Sequence, residues 1–86
     1  MIRLSSNTRT VTNADGGVML DLRKGKLFRL NTTGAVILEL LARGGTEESI
    51  AAELTRLCGV DCALASSDVH TFLAALRSHG LLDEQD

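Results

Sequence analysis

The first third of the chain contains two short segments in which apolar and polar residues alternate, joined by a turn that contains Gly25. The segments are residues 18–22 and Lys26–Leu30. Alternation with a period of two is typical of a strand with one buried face, and glycine accepts the left-handed conformation that tight hairpin turns need. The side chains predicted to face the core are Val18, Leu20 and Leu22 in the first segment and Phe28 and Leu30 in the second. The pattern therefore predicts a β-hairpin.

Turn and capping residues divide the rest of the chain into one more strand and three helices. Arg9–Thr12 is a strand candidate, because threonine and valine favour strands. The predicted helix N-caps are residues 31–33, Thr46 and Asp61, with Ser66 and Ser67 as alternatives for the third helix. The predicted fold is α+β, with a three-stranded antiparallel sheet followed by three helices on one face, similar to a winged helix. At 86 residues we expect a single domain over residues 1–86.

Charge is distributed unevenly along the chain. Residues 1–30 carry six basic and two acidic side chains, whereas residues 31–86 carry three basic and nine acidic ones. A basic hairpin would attract an acidic partner over long range, although basic side chains also protect exposed strand edges from aggregation.

No apolar stretch reaches the roughly 18 residues of a membrane helix, and the first ten residues lack the apolar core of a secretory signal. We therefore expect a cytoplasmic location.

No group of residues in the sequence predicts catalysis. Ser67 and His70 are spaced to share a helix face, but no orienting acid or oxyanion hole accompanies them. Cys58 and Cys62 are one residue further apart than in a C-x-x-C motif, and two thiolates alone do not complete a tetrahedral zinc site. We interpret them as reduced, half-buried residues beside a turn between helices. We therefore predict a non-enzyme without cofactor or metal. A small enzyme subunit that uses the two cysteines is kept as an alternative, besides the two kinds of binding protein considered next.

Two kinds of binding remain to be considered. A hairpin with two later helices could read DNA as a winged helix, but a recognition helix is usually basic, whereas the third helix here would carry Asp61 and Asp68 against Arg77. The other possibility is peptide capture. In a three-stranded meander the third strand, Lys26–Leu30, keeps one free edge, and an extended peptide can pair with such an edge beside a helix.

An ordered set of residues from Asp15 to Leu82 resembles the pattern of PqqD-like proteins. The residues that carry the resemblance are Asp15-Gly16-Gly17-Val18, Leu20-Asp21-Leu22, Gly25, Phe28, Leu30-Asn31, Gly34-Ala35, Gly45-Thr46, Ile50-Ala51, Leu54, Asp68-Val69, Phe72-Leu73, Leu76 and Gly80-Leu81-Leu82. The resemblance implies a recognition element for ribosomally synthesised and post-translationally modified peptides (RiPPs), with three strands followed by three helices. Such an element binds the leader of a precursor peptide as an added strand and presents it to a modifying enzyme.

The resemblance also implies the site residues and the partners. The implied peptide-binding residues are Lys26, Leu27, Phe28, Arg29 and Leu30 of the third strand and Asp68, Val69, Phe72, Leu73 and Leu76 of the third helix. The implied partners are a precursor leader peptide and a leader peptidase or other modifying enzyme, with no nucleic acid or membrane, and the chain itself is a monomer or weak dimer. The segment LNTTGAVILELL looks more similar to the lasso-peptide group than to the pyrroloquinoline quinone group, which serves a radical SAM enzyme. The segment CALASS departs from the acidic or proline-bearing segment usual before the third helix.

Overall fold

The computed structural model describes residues 2–84, which form two antiparallel sheets and three helices. The elements in chain order are β1 (Ile2–Leu4), β2 (Thr8–Asn13), β3 (Gly16–Asp21), β4 (Lys26–Leu30), α1 (Thr32–Ala42), α2 (Glu47–Cys58), α3 (Cys62–Ser78) and β5 (Leu82–Glu84). The larger sheet has the strand order β2-β3-β4, and β1 pairs with β5. The predicted α+β fold, a three-stranded antiparallel meander followed by three helices, is confirmed.

The middle strand presents to the core the face opposite to the one predicted. Met19 is 1% exposed and lies in the core, whereas Val18 and Leu20 are half-buried on the other face. Leu22 follows the end of β3 and is exposed. Because alternation separates two faces without saying which one is covered, the prediction of Val18, Leu20 and Leu22 as core residues was wrong. The prediction for Phe28 holds, since it lies opposite Met19 and packs against the core.

A buried aspartate closes the hairpin between β3 and β4. Asp21 is 4% exposed, and its Oδ1 accepts the backbone N–H groups of Arg23 at 3.0 Å and Lys24 at 3.4 Å. These hydrogen bonds offset the hydration that the carboxylate loses on burial. Gly25 completes the turn with a φ of 66°, the left-handed conformation expected for it. Asp21 is therefore a turn residue that also occupies a core-facing position.

Side-chain caps fix the start of each helix. The Oδ1 of Asn31 accepts the N–H of Gly34 at 2.8 Å, and Asp61 caps α3 as the sequence predicts. At α2, Thr46 Oγ1 accepts the N–H of Ser49 at 3.1 Å, and Ser49 Oγ accepts the N–H of Thr46 at 2.8 Å. This reciprocal pair forms a capping box, which satisfies donors that the first helical turn would otherwise leave without partners.

The core lies between the inner face of the larger sheet and the three helices. Its most deeply buried large side chains are Met19, Ile37, Leu41, Ile50, Leu54, Val69, Leu73 and Leu81. The short sheet closes one side, because Ile2 lies opposite Glu84 and Leu4 opposite Leu82. Strand β5 is too short for an alternating pattern to predict it. Its pairing with β1 holds the end of α3 against the rest of the fold.

Replacing Thr46 by alanine tests the capping box. The change removes one acceptor and the geometry that positions Ser49, so we expect the free energy of unfolding to fall by about 1 kcal/mol. Urea denaturation followed by circular dichroism measures this loss. Ser67→Ala is the matched control, since its exposed hydroxyl lies inside α3 and caps no helix. A Thr46→Ala protein as stable as the wild type would contradict the assigned role.

Candidate functional site

Strand β4 has one paired edge and one free edge among the strands within residues 2–84. Two hydrogen bonds at the end of β3 identify the residues of β3 whose backbone groups face β4. Leu22 donates its N–H to the carbonyl of Asn7 at 2.8 Å, on the β2 side, and Asp21 accepts from the N–H of Gly25 at 2.8 Å, on the β4 side. Because backbone groups of successive residues point to opposite sides of a strand, alternate residues of β3 face β4.

This alternation determines which residues of β4 direct their backbone N–H and C=O groups to the free edge of the sheet. The residues of β3 that face β4 are Gly17, Met19 and Asp21, and their partners in the register are Leu30, Phe28 and Lys26. The intervening residues, Leu27 and Arg29, therefore direct their N–H and C=O groups to the free edge. Their side chains lie on the outer face of the sheet, opposite to the core, and both are exposed.

A groove runs between the inner side of β4 and helix α3. Its narrower part is a partly open cavity of about 180 Å³ with a mostly apolar lining. The lining residues are Met19, Phe28, Arg29, Leu30, Phe72, Ala75, Leu76, His79 and Leu81. Phe72 and Ala75 also line a wider depression of about 360 Å³ that reaches Asn31 and Asp68. The two spaces are therefore neighbours on one face of α3, with Phe72 and Ala75 lining both.

The chemistry of the groove changes along its length. At the C-terminal end of α3, the ring of His79 lies 5.0 Å from the ring of Phe28, at an interplanar angle of 58°. Phe72 occupies the middle, and Asp68 and Thr71 make the other end polar. Gly34 lets α1 approach the Phe72 ring, because a Cβ at residue 34 would lie 3.0 Å from Phe72 Cε1. The groove thus has an apolar centre between two polar ends.

The structure places the sequence-predicted site residues in three groups. The five strand residues Lys26, Leu27, Phe28, Arg29 and Leu30 all lie in β4. Asp68, Phe72 and Leu76 line the groove. Val69 and Leu73 are fully buried in the core and do not line the groove. Whether the groove residues bind a peptide stays a prediction.

Sequence reasoning missed several groove residues. They are Asn31, Thr33, Gly34, Ile37, Thr71, Ala75 and His79. Asp68, Ala75 and His79 lie at steps of three and four residues from Phe72, so they can be identified only once Phe72 is known to face the groove. Val69 and Leu73, which the resemblance implied as site residues, lie on the core side of α3.

Within residues 2–84 the structure does not bring the cysteine and histidine side chains together into a catalytic or metal site. Cys58 and Cys62 flank the turn between α2 and α3 as predicted, but both are exposed rather than half-buried, because the turn lies at the surface. His70 Nδ1 lies 3.5 Å from Glu47 Oε2, on the solvent side of α3. Residues 2–84 contain no cluster of three or more histidine, cysteine or acidic side chains arranged to hold a metal ion. In the same range no helix has the length and apolar content to cross a bilayer.

Comparison with known proteins adds two findings. A family model described as "Coenzyme PQQ synthesis protein D (PqqD)" matches residues 16–82. The structure is also similar to "TbiB1 in Complex with the TbiA(beta) Leader Peptide", with a TM-score of 0.87 and 28% sequence identity over 98% of each chain. A second similar structure is "Lasso peptide synthetase B1 complexed with the leader peptide", with a TM-score of 0.84 and 28% identity over 96% of this chain and 98% of that one. The search of curated proteins gave no match.

Proposed function

This chain belongs to the PqqD family, and from that premise we propose that it binds the leader segment of a ribosomally synthesised precursor peptide. The observation that carries the proposal is the free edge of β4 beside an open groove. The leader would add as a fourth strand and pair with the outward N–H and C=O groups of Leu27 and Arg29. This mode of recognition is β-strand addition.

The edge and the groove would divide affinity and selectivity between them. Two N–H and two C=O groups on the edge offer four hydrogen bonds, each worth about 0.5–1.5 kcal/mol net, and they accept any extended peptide. Alternate side chains of the added strand would point into the groove. There the apolar lining around Phe72 favours an apolar side chain, and this contact selects among peptides.

We further propose that the bound leader is presented to modifying enzymes of a lasso-peptide pathway in the cytoplasm. Both similar structures are leader-peptide complexes, and one of them is a lasso peptide synthetase B1. The modifying enzymes would be a leader peptidase and a cyclase, and this chain would contribute binding without catalysis. The second candidate within the family is a precursor chaperone for the radical SAM enzyme of pyrroloquinoline quinone synthesis, which the family description favours.

Titration with a synthetic leader, taken from a short precursor gene if one neighbours this gene, tests the proposal. In backbone NMR we expect the largest shifts at Leu27, Arg29 and the groove face of α3. A scrambled leader is the control peptide. Shifts confined to α2, or none at all, would refute binding at the β4 edge. Neighbouring peptidase and cyclase genes favour the lasso pathway, and a salt-dependent DNA gel shift would favour the winged-helix alternative.

Replacing Phe72 by alanine tests the groove. Phe72 lines both the narrower cavity and the wider depression, so its loss removes the apolar centre. We expect the Kd for the leader to rise by about 10- to 100-fold, equivalent to about 1.4–2.8 kcal/mol. Isothermal titration calorimetry measures the change. Leu64→Ala is the matched control, because Leu64 is an exposed apolar residue of the same helix and does not line the groove. Equal losses in the two variants would contradict the assignment.

A further inference from the structure

The outer face of the β2-β3-β4 sheet carries an apolar patch that the described residues leave uncovered. The register gives two cross-strand rows, one of Arg9, Leu20 and Leu27 and one of Val11, Val18 and Arg29. Val11 is 68% exposed and Leu27 is 62% exposed. The helices pack on the opposite face, where Met19 enters the core. The outer face therefore has an apolar centre with one arginine at each of two diagonal corners.

The two arginines give this face a positive charge that is not neutralised within the described residues. The ion pair of Glu53 with Arg56 and the contact of Glu47 with His70 lie on the helices, away from both arginines of this face. Arg9 directs its Nη1 to the carbonyl of Thr8 at 2.9 Å, a neutral acceptor. One acidic residue, Asp15, lines the same depression as Val11, Leu27 and Arg29, so it reduces the positive charge at that end of the face without forming an ion pair within residues 2–84.

The outer face is continuous with the proposed leader-binding edge. Leu27 and Arg29, whose backbone groups would pair with the leader, extend their side chains onto this face. Successive side chains of an added strand alternate between the two faces of a sheet. Half of the leader side chains would therefore lie beside Leu27 and Arg29 and lengthen both rows. The occupied protein would present a larger patch than the empty protein.

We propose that this outer face, completed by the bound leader, is the docking surface for the enzyme that modifies the precursor. The inference rests on the proposed function. The surface fits a partner with apolar side chains ringed by carboxylates, since opposite charges guide association and fix its register. A second copy fits less well: a two-fold symmetric interface brings the same surface of both subunits together, and residues 1–30 carry a balance of four positive charges.

Val11→Asp tests docking without touching the leader site, because Val11 lies on β2, the far edge of the sheet from the free edge of β4. The probes are the synthetic leader and a purified leader peptidase, both chosen from the genes found to neighbour this one. We expect the leader Kd to stay within twofold of wild type, while peptidase binding to the leader-loaded protein weakens at least tenfold. Leu64→Asp is the matched control, since it makes the same change at an exposed residue of α3. Arg9→Glu should weaken peptidase binding several-fold and reduce its dependence on salt.

The outcomes separate the inference from the proposed function. If the wild type binds no leader, the proposed function fails. If it binds leader and Val11→Asp recruits the peptidase as the wild type does, the docking surface is overturned and the proposed function stands. Equal peptidase binding by the empty and the loaded protein overturns it as well, and so does self-association that Val11→Asp abolishes. Should Val11→Asp lose its fold, Val11→Thr, which keeps the β-branched shape, and Arg9→Glu decide the question.

Discussion

Replacing Arg29 by proline is expected to abolish leader binding while the protein stays folded. Proline has no backbone N–H and is tolerated in a sheet only where that N–H faces away from the neighbouring strand. The register and the two hydrogen bonds at the hairpin place the N–H of Arg29 on the free edge. We expect the leader Kd to rise at least 100-fold, because the ring removes one hydrogen bond and obstructs the approach of the leader strand. Calorimetry measures the affinity, and circular dichroism reports the fold.

Two further variants control this experiment. Arg29→Ala keeps the N–H and removes the charge, so its affinity for the leader should change by less than about fivefold. Phe28→Pro removes an N–H that faces Met19 on β3 and should destabilise the sheet itself, as proline does within a ladder. If Arg29→Pro unfolds the protein and Phe28→Pro does not, the outward and inward residues of β4 are interchanged and the edge model is wrong.

Replacing Gly16 by alanine is expected to cause a large loss of stability. Gly16 has a φ of 133°, and a Cβ there would overlap the carbonyl oxygen of Leu30, at the end of β4. Backbone strain and the steric overlap together should lower the free energy of unfolding by more than about 3 kcal/mol. Urea denaturation measures the loss.

Gly44→Ala is the matched control for the backbone term alone. Gly44 also has a positive φ, of 87°, but a Cβ there would meet no atom within 4 Å. We expect a cost of about 1–2 kcal/mol, the ordinary penalty for a left-handed alanine. If Gly16→Ala costs no more than Gly44→Ala, the close approach of β3 to Leu30 does not contribute to stability.

Local chemistry allowed the elements to be predicted from the sequence, and long-range packing limited the prediction of their faces. The caps at Thr46 and Asp61 and the turn at Gly25 each depend on one or two neighbouring residues, so the sequence predicts their positions correctly. Which face of β3 is covered depends on helices that follow much later. The alternating pattern placed three apolar residues on one face of β3 and only Met19 and Asp21 on the other, so it predicted the wrong face for the core. Asp21 is compatible with the buried face because its carboxylate accepts hydrogen bonds from the turn.

The candidate site was predicted in the same uneven way. Strand β4 is a contiguous segment, and its free edge follows from its position as the last strand of the meander. Helix α3 has apolar residues on two sides, because Val69 and Leu73 serve the core while Phe72 serves the groove. Sequence spacing does not separate these sides until the direction from which β4 approaches is known. The polar groove residues Thr71 and His79 carry no apolar pattern, and only the packing identifies them.

The pairing of β1 with β5 has a consequence for how this fold can be combined with others. Ile2 and Glu84 are directly opposite each other, so the two ends of the described chain emerge side by side, on strands about 5 Å apart. Adjacent termini allow a domain to be inserted into a host loop or circularly permuted with a short linker. The groove between β4 and α3, where we propose that the leader binds, does not include β1 or β5. The fold is therefore suited to serve as a transplantable peptide-capture module within a larger enzyme.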